Sequence, residues 1–476
     1  MSLTMTLVLS LCLVLIEGAR QNTVRLEAEC IVDIALNSVL AEYHREVLER
    51  YNLFYIDSSY GTKQPSYYNT EANLRKYVEK NISVRKELGW MDEDGLLSGV
   101  YLDLLKLEFP LIRITGVELA TDNGGYTFQK QAIQAAGSDF GIGVLDKILD
   151  WIRVVEEKSL LTNKVEEEIA NVENQLSALQ GKEQLEDHTW VTIPVENPVT
   201  EITGERRKGL LKWVAGSISE VSEKAVVLEQ YISARRREGQ INQGNIKVQE
   251  KMSLYEKLLF QEYLFRYAGN YLNIRSGSGL DYQIEYLLFG DAADMDNLRQ
   301  TAAAICGLRE TANIMYLLTS SEKMEMISTV SSVLSAALLV PEAEPVLEGI
   351  ILIAWSCLES LRDTEVLLKG GKVPLLKDDT SWKSDLDSVL DFHVGSADEE
   401  AEQGLSYEDY LRIFLYFCDL ETVTYRFMDI MEMDIRLTEG NQYFRMDSCI
   451  DYLETAVTAE SEYGCTYQLK HAKGYR

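Results

Sequence analysis

His44, His188, His393 and His471 are the chain's only imidazoles, and they lie far apart among 476 residues. A Ser-His-Asp triad can be assembled from distant residues, but no G-x-S-x-G elbow is present to expose a serine nucleophile. Lys369-Gly-Gly-Lys-Val-Pro374 resembles a phosphate loop only superficially. Such a loop needs glycine at 366 and Ser or Thr at 373, where this chain has Val366 and Val373. Gly141-Ile-Gly143 lacks the third glycine of a dinucleotide fingerprint. Seven cysteines (Cys12, Cys30, Cys306, Cys357, Cys418, Cys449 and Cys465) include no C-x-x-C pair for zinc or redox work. Most read as small buried hydrophobes, and Cys449 with Cys465 is the pair that could form a bridge.

Three acidic clusters are candidates for calcium: Asp92-Glu-Asp94, Asp291-Ala-Ala-Asp294-Met-Asp296 and Asp398-Glu-Glu-Ala-Glu402. None has the alternating oxygen ligands of an EF-hand, so solvated faces and helix N-termini are the better account. The basic runs Arg206-Arg-Lys208 and Arg235-Arg-Arg237 read as solvated loops. No residue therefore receives a catalytic, cofactor-binding or metal-ligating role, and no small-molecule substrate is indicated.

The charge balance excludes a further class. Asp plus Glu outnumber Lys plus Arg by 76 to 46, for a formal net charge of −30. Nucleic-acid binding needs a positive face that displaces counterions, and this composition argues against one. Hydrophobic residues make up 46%, enough for a substantial core. Only seven prolines interrupt the chain, which favours long helices.

Against that acidity, residues 1–16 carry no charge. The stretch from Met1 to Ile16 is Leu/Val-rich and is followed by Glu17-Gly-Ala-Arg20. A cleaved secretory signal needs a basic n-region and a small-x-small site, and both are missing. A buried helix is an alternative, since sixteen residues fall short of the roughly twenty that span a bilayer. The favoured reading is a retained anchor in the lipid bilayer that continues as one amphipathic helix to about Tyr51. Val24, Ala28, Ile31 or Val32, Ala35, Val39, Tyr43 and Val47 recur at helical steps, with Gly18 the only weakening residue.

The expected fold class is α+β, predominantly helical: a membrane-anchored N-terminal helix, then a soluble head with a few strands and a helical hairpin. The expected organisation is an anchor and stem over 1–50, a mixed part over 51–140, a helical hairpin with a polar loop over 141–246, and a mainly helical part over 247–476. Within these, 104–120 reads as strand, 282–289 as strand ended by Gly290, 407–436 as one long helix and 449–460 as a last helix. Val165, Ile169, Val172, Leu176 and Leu179 cover barely two heptads, short of a coiled coil, and a hairpin with 210–235 is the alternative. The apolar stretches 326–340 and 349–358 read as buried core helices rather than spans.

Several blocks resemble a known family. They include Ser2-Leu-Thr-Met-Thr6 with the apolar run and Glu17-Gly-Ala-Arg20, Leu40-Ala-Glu-Tyr43 with Tyr51-Asn-Leu-Phe54, and Ala120-Thr-Asp122 with Phe128-Gln-Lys-Gln131. Tyr282-Gln-Ile-Glu-Tyr286 with Asn297-Leu298, and Arg309-Glu310 with Asn313 and Tyr316-Leu-Leu318, belong to the same set. So do Trp355, Glu359-Ser360, Gly371-Lys-Val-Pro374, Lys377, Trp382, Arg426 and Met428-Asp429. The chain is similar to uncharacterised Firmicute proteins that accompany Tad-type pilus components, the TadE/TadF-like pseudopilins. The resemblance implies a single-pass membrane protein with an extracytoplasmic α+β head, pseudopilin-like membrane partners and no known catalytic residues. Its expected role is structural or in assembly. A tethered surface-binding module unrelated to pili, or an enzyme of unrecognised class, are the alternatives.

Overall fold

The computed structural model describes residues 2–88, 107–137, 142–161, 168–175 apart from 173, 184–191 apart from 187 and 188, 221–235, 252–387, 404–462 and 464–475. The α+β, mainly helical class holds. Helix α1 spans Ser2–Leu40, α2 Arg45–Tyr51, α3 Tyr67–Leu88, α4 Asp122–Ala136 and α5 Ile142–Glu157. The larger helical part contains α6 (Leu254–Tyr267), α7 (Gln283–Phe289), α8 (Asp294–Thr319), α9 (Ser321–Ala337), α10 (Glu344–Leu368), α11 (Tyr407–Phe417) and α12 (Leu420–Arg436). The strands are β1 (Ile56–Asp57), β2 (Leu107–Leu119), a short hairpin β3 (Gln184–Glu186) and β4 (Thr189–Val191), a two-residue pair β5 (Lys372–Val373) and β6 (Leu405–Ser406), then β7 (Cys449–Ser461) and β8 (Thr466–Gly474).

Strand β7 is the middle of an antiparallel sheet. On one side it pairs with β2, from Leu107 opposite Ser461 to Leu119 opposite Ile450. On the other it pairs with β1 through Ile56 and Ile450, and with β8 from Tyr452 opposite Gly474 to Glu460 opposite Thr466. Pro110 falls between Glu108 and Leu111, where the register of β2 shifts. That is where a residue without an N–H is tolerated in an edge strand. Among the described residues, two of the apolar clusters that result are large. One lies between the sheet, α1 and α3. The other, larger one joins α2, α4, α6 to α8 and α10 to α12.

Several elements differ from the sequence reading. The first helix stops at Leu40 instead of running to Tyr51. After a turn at Ala41 and Glu42, the His44 backbone N–H donates to Tyr55 O at 2.8 Å, and the His44 side chain caps α2 by accepting from Val47 N. Tertiary contact, with no Gly or Pro, breaks this helix. Residues 283–289 are helix, not strand. Gln283 to Leu288 are all buried, so an alternating polarity pattern there carries no information about which side faces water. Gly290 ends α7 at φ +76°. The Arg426 guanidinium occupies the place a Cβ at Gly290 would take, and donates to the carbonyls of Leu287, Leu288 and Phe289 at 2.8, 2.8 and 2.9 Å. A cation thereby satisfies the orphan acceptors at the negative end of a helix.

Residues 407–436 form two helices, because the Asp419 carboxylate accepts from Thr422 N and starts α12 afresh. Residues 449–460 are the central strand. Ala, Glu and Leu favour helix locally, but backbone ladders on both sides and burial of Leu453, Thr455, Val457 and Ala459 at every second position override that preference. Of the expected hairpin, residues 210–220 lie outside the described residues, and 228–230 form only a 3₁₀ turn. None of the seven cysteines is in a disulfide, Cys449 and Cys465 included, and only Cys306, Cys357 and Cys449 are buried. The 349–358 segment is core, with Ile350 to Leu358 buried in α10. The 326–340 segment differs: α9 buries Ile327, Ser331 and Ser335, while Met326, Val333, Leu338 and Leu339 are exposed.

The seam between α1 and the sheet is the test of this packing. Leu36→Ala, at a fully buried site, is expected to cost about 2–5 kcal/mol in a urea titration, whereas exposed Asn22→Ala should change stability by less than about 0.5 kcal/mol.

Candidate functional site

The first feature that sets this molecule apart is the division of α1. Thr4 to Ile16 are exposed on every side. From Val24 onward one face is buried: Val24, Ala28, Ile31, Val32, Ala35, Leu36 and Val39 pack with Ile112, Ile114, Leu453 and Val457 of the sheet and with Leu74 and Val78 of α3. Polar contacts from the C-terminal strand fasten the same helix. Lys473 Nζ reaches Asp33 Oδ1 at 2.6 Å and Asn37 Oδ1 at 2.8 Å, and the Tyr467 hydroxyl donates to Gln21 O at 3.0 Å. The Tyr475 hydroxyl donates to Leu40 O. Among the described residues, α1 is the one helix long and apolar enough to cross a membrane by length and composition. A signal sequence would pass that test equally.

The second feature is a buried acid network around α7. Glu285 is fully buried; its carboxylate accepts from the Tyr407 hydroxyl at 2.7 Å and Tyr271 N at 2.9 Å. Its Oε2 has no hydrogen-bond partner, and burial pushes the acid up to about 7. Asp429 accepts from the Tyr286 hydroxyl at 2.8 Å and Ser233 N at 2.9 Å, and burial raises it to about 6. Asp434 accepts from the Tyr51 hydroxyl, Gly279 N and Gln283 Nε2 at 2.8 to 3.0 Å, and burial raises it too. Glu432 is held by both terminal nitrogens of Arg235 at 2.7 and 2.8 Å and by Arg436 at 2.8 Å. Arg235 is therefore an internal anchor, not part of the solvated loop its Arg-Arg-Arg run suggests.

A second ionic cluster pins the segment after α10. Fully buried Arg309 donates to Asp363 at 2.9 Å, to Pro374 O at 2.9 Å, to Leu375 O at 2.7 Å and to Asn313 at 3.1 Å. Lys377 lies between Glu359 and Asp363, 2.6 Å from the latter. Glu359 also accepts from the backbone of Lys383 and Ser384. Trp382 is thereby held against Tyr316, 5.2 Å between ring centroids, and edge-on to Trp355. Apart from Glu285 Oε2, the carboxylates named in both clusters meet fixed donors inside the protein, which makes these pairs fasteners between elements.

The sequence candidates fall elsewhere. His44 is a helix cap bonded to Asn441, and His471 lies on β8; His188 and His393 are outside the described residues. Gly370 and Gly371 close the C-terminus of α10, with Lys369 paired to Glu365. Gly141 lies outside the described residues and Gly143 in the first turn of α5. Of the acidic clusters only 291–296 is described. There Asp294 is a buried acceptor for Ser222 Oγ, Asp281 N and Tyr282 N. Among the described residues, no group of three or more His, Cys, Asp or Glu could hold a metal ion. A crevice between α6 and α12 brings Lys257 and Cys418 near each other, lined by Phe260, Leu264 and Val423. Burial raises the Cys418 thiol and lowers the Lys257 ammonium, which donates to Tyr416 O at 2.6 Å.

Residues 188–461, more than half of the chain, match the model of a family of unknown function (DUF5702). No curated protein and no solved structure matches the chain.

The acid network has a pH signature. Glu285 has a folded-state value of about 7, above its unfolded value, so its contribution is fully present in acid and is lost as pH rises through about 7. Unfolding free energy is expected to fall between pH 5 and pH 8, with Glu285 supplying about 3 kcal/mol of that fall. Glu285→Gln keeps an acceptor for Tyr407 and should flatten the slope; an unchanged slope in urea titrations across that range would refute the assignment.

Proposed function

The chain belongs to the DUF5702 family, and we propose that it is a membrane-anchored, extracytoplasmic structural or assembly component, non-catalytic, that works beside a Tad-like pilus or type II secretion-like apparatus. The observation that carries this reading is the two-part first helix. Its leading residues, Thr4–Ile16, are exposed on every side, while its trailing half is fastened to a sheet built from both ends of the chain. Leaving Leu7, Val8, Leu9, Leu11, Leu13, Val14, Leu15 and Ile16 in water is unfavourable by roughly 1.5–3 kcal/mol for each fully exposed side chain, and hydrocarbon removes that cost. The head then stands in solvent, where a net charge of −30 favours solubility.

The membrane partner is the bilayer, through residues 1–16. The protein partners in this reading are pseudopilin-like membrane proteins with apolar stems of their own. Ser2, Thr4, Thr6 and Ser10 are small enough to let such stems approach closely. Among the described residues, Asp429, Asp434, Glu432, Arg309 and Lys377 are bonded to groups inside the protein, which favours a docking role over a catalytic one, because a general acid or base has to face its substrate.

Removal of residues 1–22 should yield a soluble, folded head, whereas the full chain should float with vesicles. A truncated head that still pellets with membranes would overturn the single anchor. Affinity purification of the full chain from its native membranes should recover TadE-like proteins or the pilus-type ATPase; recovery of cell-wall components alone would favour a surface-binding module instead.

A further inference from the structure

The half of α1 that is packed on the sheet keeps a second apolar face, turned away from the head. Ile16, Ala19, Thr23, Leu26, Cys30 and Ile34 are all exposed, with Leu26 at 62% and Ile34 at 46%. Their steps of three and four residues place them within about 40° of one line along the helix, opposite the buried Ala28, Val32 and Val39. Cys12 lies on the same line five turns before Cys30, so the stripe runs without interruption from the free stem into the part fastened to the head.

Between Glu17 and Asn37 the helix carries six charged residues, and none lies on the stripe. Most are already neutralised: Arg20 pairs with Glu17 at 2.9 Å, Arg25 with Glu29 at 3.0 Å, and Asp33 with Lys473 at 2.6 Å. A chain with net charge −30 thus presents an uncharged line with nearly balanced flanks along one element.

We propose that this stripe is the contact between two copies of the chain, aligned in parallel through their first helices. The inference rests on the reading of α1 as a membrane stem. The three-four spacing fits another helix, whose side chains interdigitate at that repeat. A bilayer delivers a second α1 at the same depth and in the same direction, so the stripe meets itself in register. The balanced flanks let two strongly acidic chains approach here without the repulsion that the remainder of the surface would impose. Past Ile34 the exposed position one turn on is Asn37, where the apolar contact ends and the two heads diverge.

The test uses the full chain in phosphatidylethanolamine/phosphatidylglycerol vesicles, with copper–phenanthroline as oxidant and flotation of the same sample as a control. The expected result is a floating protein that forms a covalent dimer through Cys12 and Cys30, kept in Cys12→Ser through Cys30 and absent from the double variant Cys12→Ser, Cys30→Ser. In Leu26→Glu, at an exposed site that should leave the urea midpoint unchanged, the dimer should fall by about tenfold, because a charge then enters the seam. A chain that floats but stays monomeric overturns the dimer and leaves the anchor standing. A dimer indifferent to Leu26→Glu, or a Cys30 cross-link only to a different protein in native membranes, also overturns it. A chain that does not float overturns the stem reading, and the dimer with it.

Discussion

The face of α1 from Val24 to Val39 is buried on a sheet whose central and closing strands, β7 and β8, are the last of the chain. Everything N-terminal to Val24 depends on that seam for its position. Seven apolar side chains of one helix are removed from water there; the five Val, Ile and Leu stabilise by roughly 1.5–3 kcal/mol each, and Ala28 and Ala35 by less. Lys473, Tyr467 and Tyr475 add polar fixings at the far end of the sequence. The exposed leading turns of α1 are therefore continuous, within one helix, with the part buried on β7 and its neighbours.

A second constraint organises the other core. Helix α7 is only seven residues long and almost wholly buried, with polar groups on several faces. It persists because Asp429, Asp434, Tyr407 and Arg426 each meet one of those groups. Arg309 and Lys377 hold the segment after α10 by the same means. Buried ion pairs of this type contribute little net stability but penalise every arrangement in which a partner is missing. The chain uses its charged core to select one arrangement of short helices and irregular segments that apolar packing alone would leave ambiguous.

Residues that bore the family resemblance coincide with these fasteners. Tyr286, Arg309, Asn313, Glu359, Lys377, Arg426 and Asp429 are polar residues inside the head, each bonded to another element of the chain. As isolated letters they suggested no chemistry, since their partners lie up to 200 residues away. The match of the family over 188–461 covers most of the same residues.

Composition and local pattern were sufficient for the apolar first turns of α1, for the core helix read at 349–358 and for the strand read at 104–120, because hydrophobic spacing and length are written in neighbouring residues. They were insufficient where long-range contacts outweigh local preference. β7 has a helix-former's composition yet takes its backbone partners from β2 and β8. α7 alternates like a strand but is enclosed on all sides, and α1 ends at Leu40 because His44 bonds to Tyr55. The exposed stripe on α1 belongs to the same class. Its residues are apolar in the sequence, but only the sheet on the opposite face decides which apolar residues of that helix remain uncovered, because burial is a property of what packs against a side chain and not of the side chain itself.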